Sequence, residues 1–537
     1  MKTLDRREFI AATSAAALGL MTGSTFASVK DFDVEEATVG SLQLAMQKGE
    51  VTARGLVADY IARIGAGDKL TNSIIEINPD ALEIAATLDR ERKAGKLRGP
   101  LHGIPIVLKD NIDTADKMKT TAGSLALMDA PVPVRDAFLV AQLRQAGAVV
   151  LGKTNLSEWA NFRSTASTSG WSGRGGQTRN PYILDRNPCG SSSGTGAAIA
   201  ANFAALGIGT ETDGSIVCPS SICGIVGIKP TVGLISRSGV IPISASQDTA
   251  GPMGRTVADV AAMLAALVAD DDADPASAQA KSHAAPDYTA FLNPGALAGK
   301  RIGLVRQALG FNADVDAAME RAVATMTSAG AIVIDVKVQG YRDWEDPEMV
   351  VLLYEFKNGI NAYLKAAGVK PGSLAELIAW NGNHRDTVMP WFGQELFETA
   401  QATGSLKDAA YREARAKARK SAGDDGLFAT LDANRVDVLM VPSAGPAWTT
   451  DLLLGDHHTA GGGAAMAAIA GTPSITVPMG ESHGLPLGLA LMGLAFSEAQ
   501  LIGLAYAFEQ ASHARTAPKY FATLRGTTTA AKADDAH

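Results

Sequence analysis

Apolar positions along the chain follow two periodicities, one typical of helices and the other of buried strands. Apolar residues recur at helical spacing over 35–64, and Asn78-Pro79 precedes a second helical stretch over 80–93. Nine short runs of apolar and β-branched residues predict strands at 104–108, 148–151, 206–208, 224–228, 302–305, 332–338, 438–441, 474–477 and 488–492. Helical stretches lie between several of these runs, at 137–145, 197–205, 257–268 and 314–327. The alternation predicts an α/β fold in which helices cover a largely buried sheet.

The part of the chain over about 340–435 carries little strand signal and many helical repeats, as at 350–366 and 409–420. It predicts a helical region suited to form the wall of a pocket. No internal repeat or linker divides the rest of the sequence, so we expect residues 28–537 to form a single domain.

The N-terminus has a pattern of its own. Arg6-Arg7 precedes an uncharged run over 11–28 that is too short and too weakly apolar for a membrane span. The paired arginines, with small residues at Thr25 and Ala27, favour a twin-arginine export signal over 1–27. An ordinary first helix is the alternative, although the run lacks a helical apolar face. We therefore expect a periplasmic or secreted mature protein.

Composition and charge narrow the possible partners. With 46% hydrophobic and 19% charged residues, the chain can bury a large core. Its formal charge is −8, which becomes −9 without residues 1–27, because that segment carries three basic and two acidic residues. A nucleic acid is thus not an expected partner. The mature chain is expected to be a monomer that does not insert into a membrane.

Three cysteines are present, at Cys189, Cys218 and Cys223. The odd number rules out a fully paired disulfide framework, while one bridge stays possible in an oxidising compartment. No histidine lies near any of them at a zinc-ligand spacing, so no metal site is expected.

A segment rich in glycine and serine, Pro188-Cys-Gly-Ser-Ser-Ser-Gly-Thr-Gly196, leads directly into an apolar helical run. Such a segment places backbone N–H groups at a helix N-terminus, which suits an anion. A P-loop requires Lys after the last glycine, where Ala197 stands. A dinucleotide-binding loop requires Gly or Ala at position 199, where Ile199 stands. Neither phosphate-binding motif is therefore present.

Residues 190–194 also satisfy the pattern Gly-x-Ser-x-Gly of the α/β-hydrolase nucleophile elbow. That elbow needs a buried strand directly before it, whereas residues 184–188 are turn-rich and polar. A flexible surface linker is a further alternative, weakened by the long apolar segments on both sides.

A second candidate segment is Gly209-Thr-Glu-Thr-Asp-Gly-Ser-Ile216, between a predicted strand and Cys218-Pro219. A Gly-Ser pair in a tight turn exposes the hydroxyl while nearby N–H groups converge on one point, as an oxyanion hole requires. Serine is common in turns, however, so this segment alone does not establish a nucleophile.

A nucleophilic serine needs a base, and none of the eight histidines lies in a sharp motif. Lys109, which ends the apolar run 104–108, is the better candidate. Burial must lower its pKa from about 10.4 to roughly 7–8 before it can act as a base. A lysine whose head reaches solvent at a strand end is the alternative. Lys153 lies in a similar context and is a competing candidate for the base.

Taken together, the segments 103–110, 188–196 and 212–216 resemble the amidase-signature family, as does the spacing of 24 between Ser191 and Ser215. The resemblance continues through 227–231, 247–253 and 471–473, and so covers nearly the whole mature chain. Two positions depart from the family pattern, which has glycine at 189 and often arginine at 218. These departures put the family's usual internal salt bridge in doubt, but not its catalytic residues.

The resemblance implies one α/β/α unit, with helices on both faces of a large mixed sheet. It further implies that Ser215 is the nucleophile of an acyl-enzyme and that Ser191, beside a cis peptide bond, relays its proton to Lys109. The lysine then protonates the leaving ammonia and activates the deacylating water. The N–H groups of Thr212, Asp213, Gly214 and Ser215 are implied to form the oxyanion hole, with neither cofactor nor metal.

Within the family, residues 154–162 and 175–182 and the cysteines at 189 and 218 resemble the bacterial peptide amidases. The implied reaction removes the C-terminal amide of a peptide as ammonia. An aryl or fatty acyl amidase with the same catalytic residues is an alternative, as is a non-catalytic exported peptide-binding protein. The export signal disfavours the glutaminase component of a tRNA-dependent amidotransferase.

Overall fold

The computed structural model describes residues 32–278, 280–457 and 465–524. The predicted export signal over 1–27 and its cleavage site lie outside the described residues.

Thirteen strands occur in the described part of the chain, and eleven of them form one sheet. In chain order they are β1 Ile74–Ile77, β2 Pro105–Lys109, β3 Val149–Thr154, β4 Trp171–Ser172, β5 Gly176–Gln177, β6 Leu206–Glu211, β7 Val226–Lys229, β8 Thr249–Gly254, β9 Arg301–Val305, β10 Ile332–Val336, β11 Val438–Pro442, β12 Ser474–Ser482 and β13 Leu485–Met492. The order across the sheet is β1-β3-β2-β6-β8-β7-β12-β13-β11-β9-β10, while β4 and β5 pair separately.

The sheet is mixed in direction. Strand β2 runs parallel to β3 and β6, and β9 runs parallel to β10 and β11. The remaining neighbours in the sheet are antiparallel. Because parallel strands end at the same edge, the last residues of β2, β3 and β6 lie close together. This edge carries Lys109, Thr154 and Glu211.

Helices surround the sheet and fill the connections between strands. The α-helices are Val39–Lys48, Ala53–Thr71, Ala81–Lys93, Phe138–Gln145, Ser193–Ala200, Val217–Ile222, Val257–Leu267, Ala280–His283, Ala313–Ser328, Glu345–Ala367, Leu374–Asn383, Arg385–Val388, Glu395–Ala402, Ala409–Arg419, Ala429–Asn434, Ala465–Ala470 and Glu498–Ser512. Short 3₁₀ turns lie at Leu125–Leu127, Glu158–Asn161, Pro275–Ser277, Tyr288–Phe291 and Arg306–Ala308, and a π-helix at Lys420–Phe428. The expected α/β class with a large mixed sheet is confirmed.

Burial explains why these strands form. Every residue of β2, β3, β6, β7, β8, β11 and β13 is buried, so nearly continuous apolar runs are favourable there. Local signals fix the helix ends as well. Thr38 and Ser41 form a capping box before Val39–Lys48, and Gly49 ends that helix in the left-handed conformation.

The region over 345–434 is helical and contains no strand among its residues, all of which are described. It packs against residues of the earlier part of the chain in an apolar cluster, in which the Phe356 and Phe397 rings stack and Trp159 contacts Phe397 edge to face. Within the described residues, no helix combines the length and apolar character that crossing a membrane requires.

Candidate active site

Lys109 is the last residue of β2 and is completely buried. Its Nζ lies 2.7 Å from Ser191 Oγ, 2.8 Å from Thr210 Oγ1 and 3.1 Å from the Thr210 carbonyl oxygen. A neutral amine has two N–H donors and one lone pair. It can therefore donate both to Thr210 and accept the hydroxyl proton of Ser191.

Burial lowers the pKa of Lys109 to about 7, while the negative charges of Glu211 and Asp248 act in the opposite direction. Near neutral pH this amine is therefore often uncharged, in contrast to an exposed lysine. A group with a pKa near the working pH is suited to take up and return a proton.

Ser191 lies on a tightly held segment. The peptide bond between Gly190 and Ser191 is cis, as the resemblance implies. Ser191 accepts a hydrogen bond on its carbonyl from the Ser157 N–H at 3.1 Å, and the Ser192 N–H donates to the Ser215 carbonyl at 3.2 Å. A side chain at Gly190 would meet Ser157 Oγ at 2.2 Å, so only glycine fits there. These contacts place Ser191 between Lys109 and the turn that holds Ser215.

Ser215 lies in the turn that follows β6 and is 9% exposed. Gly214 before it has a φ of 77°, a conformation that favours glycine. Across residues 32–278, 280–457 and 465–524, none of the N–H groups from Thr212 to Ser215 donates a hydrogen bond. This turn thus offers unused backbone donors beside the serine hydroxyl.

The sequence pattern suggested an anion site at the helix that follows Ser191, and the structure uses that helix end differently. The helix begins at Ser193 rather than near 197. The Gly194 N–H donates to the Asn155 carbonyl oxygen at 2.9 Å, so this donor is already occupied. The unused donors belong to the turn over 212–215 instead.

Cys189 and Cys218 form a disulfide with a Cα–Cα distance of 6.0 Å. The bridge joins the segment directly before Ser191 to the helix directly after Ser215. The two departures from the family pattern are therefore the two halves of one crosslink. Cys223 is buried and not in a disulfide, and burial raises the pKa of its thiol.

The competing candidate, Lys153, lies on β3 and is also completely buried. In the ladder Lys153 pairs with Leu108, while Lys109 pairs with Thr154. Because successive residues of a strand point to opposite faces, the two lysines lie on opposite faces of the sheet. Lys153 Nζ donates to the Ile112 carbonyl at 2.6 Å and to Thr120 Oγ1 at 3.0 Å, away from both serines.

Several residues of the site were not anticipated from the sequence. Thr210 holds Lys109 and accepts a further hydrogen bond on Oγ1 from Asn111 Nδ2 at 3.0 Å. Glu211 accepts the N–H groups of Ile216 and Val217 at 2.7 and 2.9 Å. An acid at the end of an otherwise apolar strand was the available signal for Glu211.

The helical region is connected to the Ser215 turn through Gln247 and Asp248. Gln247 Nε2 donates to the Thr212 carbonyl at 3.2 Å and to Glu348 Oε1 on the helix Glu345–Ala367 at 2.7 Å. Asp248 accepts the Thr212 hydroxyl at 2.6 Å. The helix Glu345–Ala367 and the Ser215 turn thus share one hydrogen-bond network.

Among the described residues, neither a histidine nor a metal-binding group contacts Ser191 Oγ. His102 is buried and contacts the Leu88 carbonyl oxygen through Nε2, and it precedes β2 at the opposite end of that strand from Lys109. The described residues contain no group of three or more His, Cys, Asp or Glu side chains that could hold a metal ion. Among the described residues, the lysine is the titratable group in contact with Ser191 Oγ.

Comparison with known proteins gives consistent matches over the length of the chain. Residues 55–502 match the family model described as Amidase. The chain is 40% identical over 507 residues to a probable amidase of Arabidopsis thaliana, covering 91% of this chain and 93% of that protein. It is 34% identical to a component of the glutamyl-tRNA(Gln) amidotransferase of Halorhodospira halophila, covering 89% of this chain and 97% of that protein.

Solved structures agree with these matches. The native peptide amidase from Stenotrophomonas maltophilia is 51% identical with a TM-score of 0.86, and the alignment covers 90% of this chain and 99% of that chain. A peptide amidase in complex with the competitive inhibitor chymostatin is 52% identical with a TM-score of 0.89, covering 91% and 100%.

Proposed function

Because this chain belongs to the amidase family and is an amidase, we propose that it removes the C-terminal amide of peptides as ammonia, through an acyl-enzyme. The substrate class is supported by the peptide amidases that are 51% and 52% identical to this chain over nine-tenths of its length. The cysteines at 189 and 218, by which the sequence resembles the peptide amidases, form a bridge beside the proposed catalytic serines.

In the proposed acylation step, Ser215 Oγ attacks the amide carbon. The Ser215 proton passes to Ser191 Oγ while the Ser191 proton passes to Lys109 Nζ. The N–H groups over 212–215, which donate to no other group among the described residues, stabilise the negative oxygen of the tetrahedral intermediate. Lys109 then returns the proton through Ser191 to the leaving nitrogen, the C–N bond breaks, and ammonia departs.

Deacylation repeats these steps with water. A water molecule gives a proton to Lys109, attacks the ester carbon and forms a second tetrahedral intermediate. Its collapse returns the proton from Lys109 to Ser215 Oγ by way of Ser191 and releases the peptide's carboxylic acid, which ionises to the carboxylate by giving its proton to the solvent. Within the proposed cycle, the protons are relayed by Lys109, Ser191 and Ser215.

The contact that carries this proposal is the 2.7 Å separation between Lys109 Nζ and Ser191 Oγ inside a buried pocket. A charged lysine in that position would be unable to accept a proton. The lowered pKa of about 7 allows the neutral form that the mechanism requires.

We further propose that the protein is exported by a twin-arginine signal over 1–27 to the periplasm or beyond, and that it acts there as a monomer. The Cys189–Cys218 disulfide supports an oxidising compartment, where such bonds persist. The twin-arginine pattern at Arg6-Arg7 supports export.

The test is ammonia release from a blocked dipeptide amide, compared with an anilide and a fatty acid amide, by the wild type and by Ser215→Ala. We expect the peptide amide to be preferred and its turnover to be lost in the variant. Activity on the anilide or fatty acid amide alone would contradict the substrate class but not the catalytic residues. No activity on any of the three would favour a non-catalytic peptide-binding protein.

A further inference from the structure

Glu211 lies between the two halves of the proposed catalytic site. It is the last residue of β6 and is 1% exposed. The residue before it, Thr210, contacts Lys109 Nζ through both its carbonyl and its hydroxyl oxygen. The residues after it form the turn of Ser215. An acid at this position is therefore close to both the base and the nucleophile.

One carboxylate oxygen of Glu211 holds the nucleophile turn. Oε2 accepts the N–H of Ile216 at 2.7 Å and the N–H of Val217 at 2.9 Å. These are the two residues directly after Ser215. Hydrogen bonds from N–H groups to a carboxylate are stronger than those between neutral groups. The backbone of Ser215 is thereby fixed relative to β6, and so to Thr210.

The other carboxylate oxygen has a different environment. Oε1 of Glu211 has no hydrogen-bond partner among the described residues, and neither has the buried Oδ1 of Asn111. Both residues line a pocket of about 180 Å³ that is partly open to solvent and also borders Thr210 and Asp248. Oε1 is thus buried and carries its share of the carboxylate charge without a hydrogen-bond donor among the described residues.

The charge of Glu211 reaches Lys109. Burial depresses the pKa of the lysine to about 7, and the acids that oppose this depression are Glu211 and Asp248. The charge of Glu211 also acts on Lys229, whose pKa burial lowers to about 8 against the charges of Glu211, Glu498 and Asp213. The positive charge that forms on Lys109 during acylation therefore has a nearby countercharge.

We propose that Glu211 is a positioning residue for both halves of the site: its Oε2 fixes the Ser215 turn, and the carboxylate charge stabilises the lysinium that forms at Lys109. The proposal rests on the proposed function, because it assigns Lys109 and Ser215 the roles given there. It predicts that the two effects separate in different variants.

The test measures the rate at which a fluorophosphonate labels Ser215 as a function of pH, which needs no knowledge of the amide substrate. Glu211→Gln keeps the shape and removes the charge. We expect the acid limb of the profile to move to lower pH by roughly one unit, because loss of a nearby opposite charge lowers the pKa of a lysine. Labelling on the plateau should fall by roughly tenfold, since lysinium formation loses its countercharge.

Glu211→Asp keeps the charge but shortens the side chain. Its acid limb should coincide with that of the wild type, while the plateau rate falls because the Ser215 turn is less well held. Glu498→Gln is the matched control. Glu498 is also 1% exposed and accepts a backbone N–H, that of Thr231 at 2.7 Å, but its charge acts on Lys229 rather than Lys109. This control should lose thermal stability and keep the wild-type acid limb.

The proposal would be overturned if the acid limb of Glu211→Gln coincided with that of the wild type and only the melting temperature fell. Such a result would show that Glu211 has a merely structural role. If this variant does not fold, an acid limb for Glu211→Asp displaced by more than half a unit would overturn it as well. A wild type that is not labelled at Ser215 would instead contradict the proposed function, and the inference with it.

Discussion

Two buried lysines on adjacent strands have nearly the same local sequence context but different surroundings. Lys109 ends β2 and contacts Ser191, whereas Lys153 lies on β3 and on the opposite face of the sheet. Burial lowers the pKa of both. Lys153 is surrounded by Asp110, Asp113 and further acids that oppose this lowering, and it donates to a carbonyl and a threonine hydroxyl.

The difference shows that desolvation alone does not make a base. A catalytic lysine also needs a proton donor on the lone pair of its neutral form, and acceptors for its two remaining N–H groups. Lys109 has the hydroxyl of Ser191 and the two oxygens of Thr210. Lys153 connects neighbouring segments of the fold. The following experiments sharpen or break this distinction.

The largest effect is expected from replacing each lysine by methionine, which has a similar length and no charge. Lys109→Met should lower kcat by at least roughly 10³-fold, because the proton acceptor is lost. Lys153→Met should keep much of the turnover and lower the melting temperature. Steady-state kinetics and thermal unfolding of both variants check this, and equal losses of kcat would disprove the assignment of the base.

The next largest effect on kcat is expected when the proton relay through Ser191 is interrupted. Ser191→Ala should lower kcat by about 10²-fold or more, because the proton path between Ser215 and Lys109 is interrupted. Ser193 is a matched control, since it is equally buried two residues away and contacts Ser157 rather than the lysine. Ser193→Ala should stay within about tenfold of the wild type. A relay role is refuted if the two alanine variants have similar kcat values.

The pH dependence distinguishes a lysine base from a carboxylate base without any mutation. The proposed base must be neutral, so kcat/KM should fall as the pH falls through about 7, the pKa of Lys109, by about tenfold per unit. The same depression means that stability rises with pH between about 7 and 10, because only the unfolded chain keeps this proton there. Profiles of kcat/KM and urea unfolding at several pH values check both. An acid limb near pH 4 would point to a carboxylate instead.

Removal of the disulfide is expected to have the smallest effect on turnover. The bridge holds the segments of the two serines and not the strand of Lys109. The double variant Cys189→Ser and Cys218→Ser opens a bridge with a sequence separation of 29 residues. Loss of such a crosslink lowers the free energy of unfolding by about 3–4 kcal/mol. We expect kcat to fall more than KM rises, because the bridge holds the segments of Ser191 and Ser215. An unchanged urea midpoint would contradict this role.

Much of the sheet was predictable, because nine strands coincide with short apolar runs, and six of these strands are buried along their whole length. The four that were missed have physical reasons. Strand β8 has the sequence Thr-Ala-Gly-Pro-Met-Gly, and glycine and proline normally disfavour a central strand. Strand β1 is short and only partly buried, while β4 and β5 have two residues each. Tertiary pairing, rather than local preference, forms them.

The candidate site was predictable only where a motif marks it. Lys109, Ser191 and Ser215 lie in segments that the resemblance identifies, whereas Thr210 meets the lysine through the pairing of β2 with β6 and is in turn contacted by Asn111. The Cys189–Cys218 pairing was open in the sequence because three cysteines allow three single bridges. The fold decides which side chains on neighbouring strands come into contact. A single sequence does not show these contacts.

The most direct test of the central claim is the labelling of Ser215 by a fluorophosphonate at pH 8, followed by intact-protein mass spectrometry. It compares the wild type, Lys109→Met and Lys153→Met under identical conditions. The account predicts that the wild type and Lys153→Met gain one adduct at similar rates, while Lys109→Met stays unlabelled over the same time. Equal labelling of Lys109→Met and the wild type would show that Ser215 is activated without Lys109.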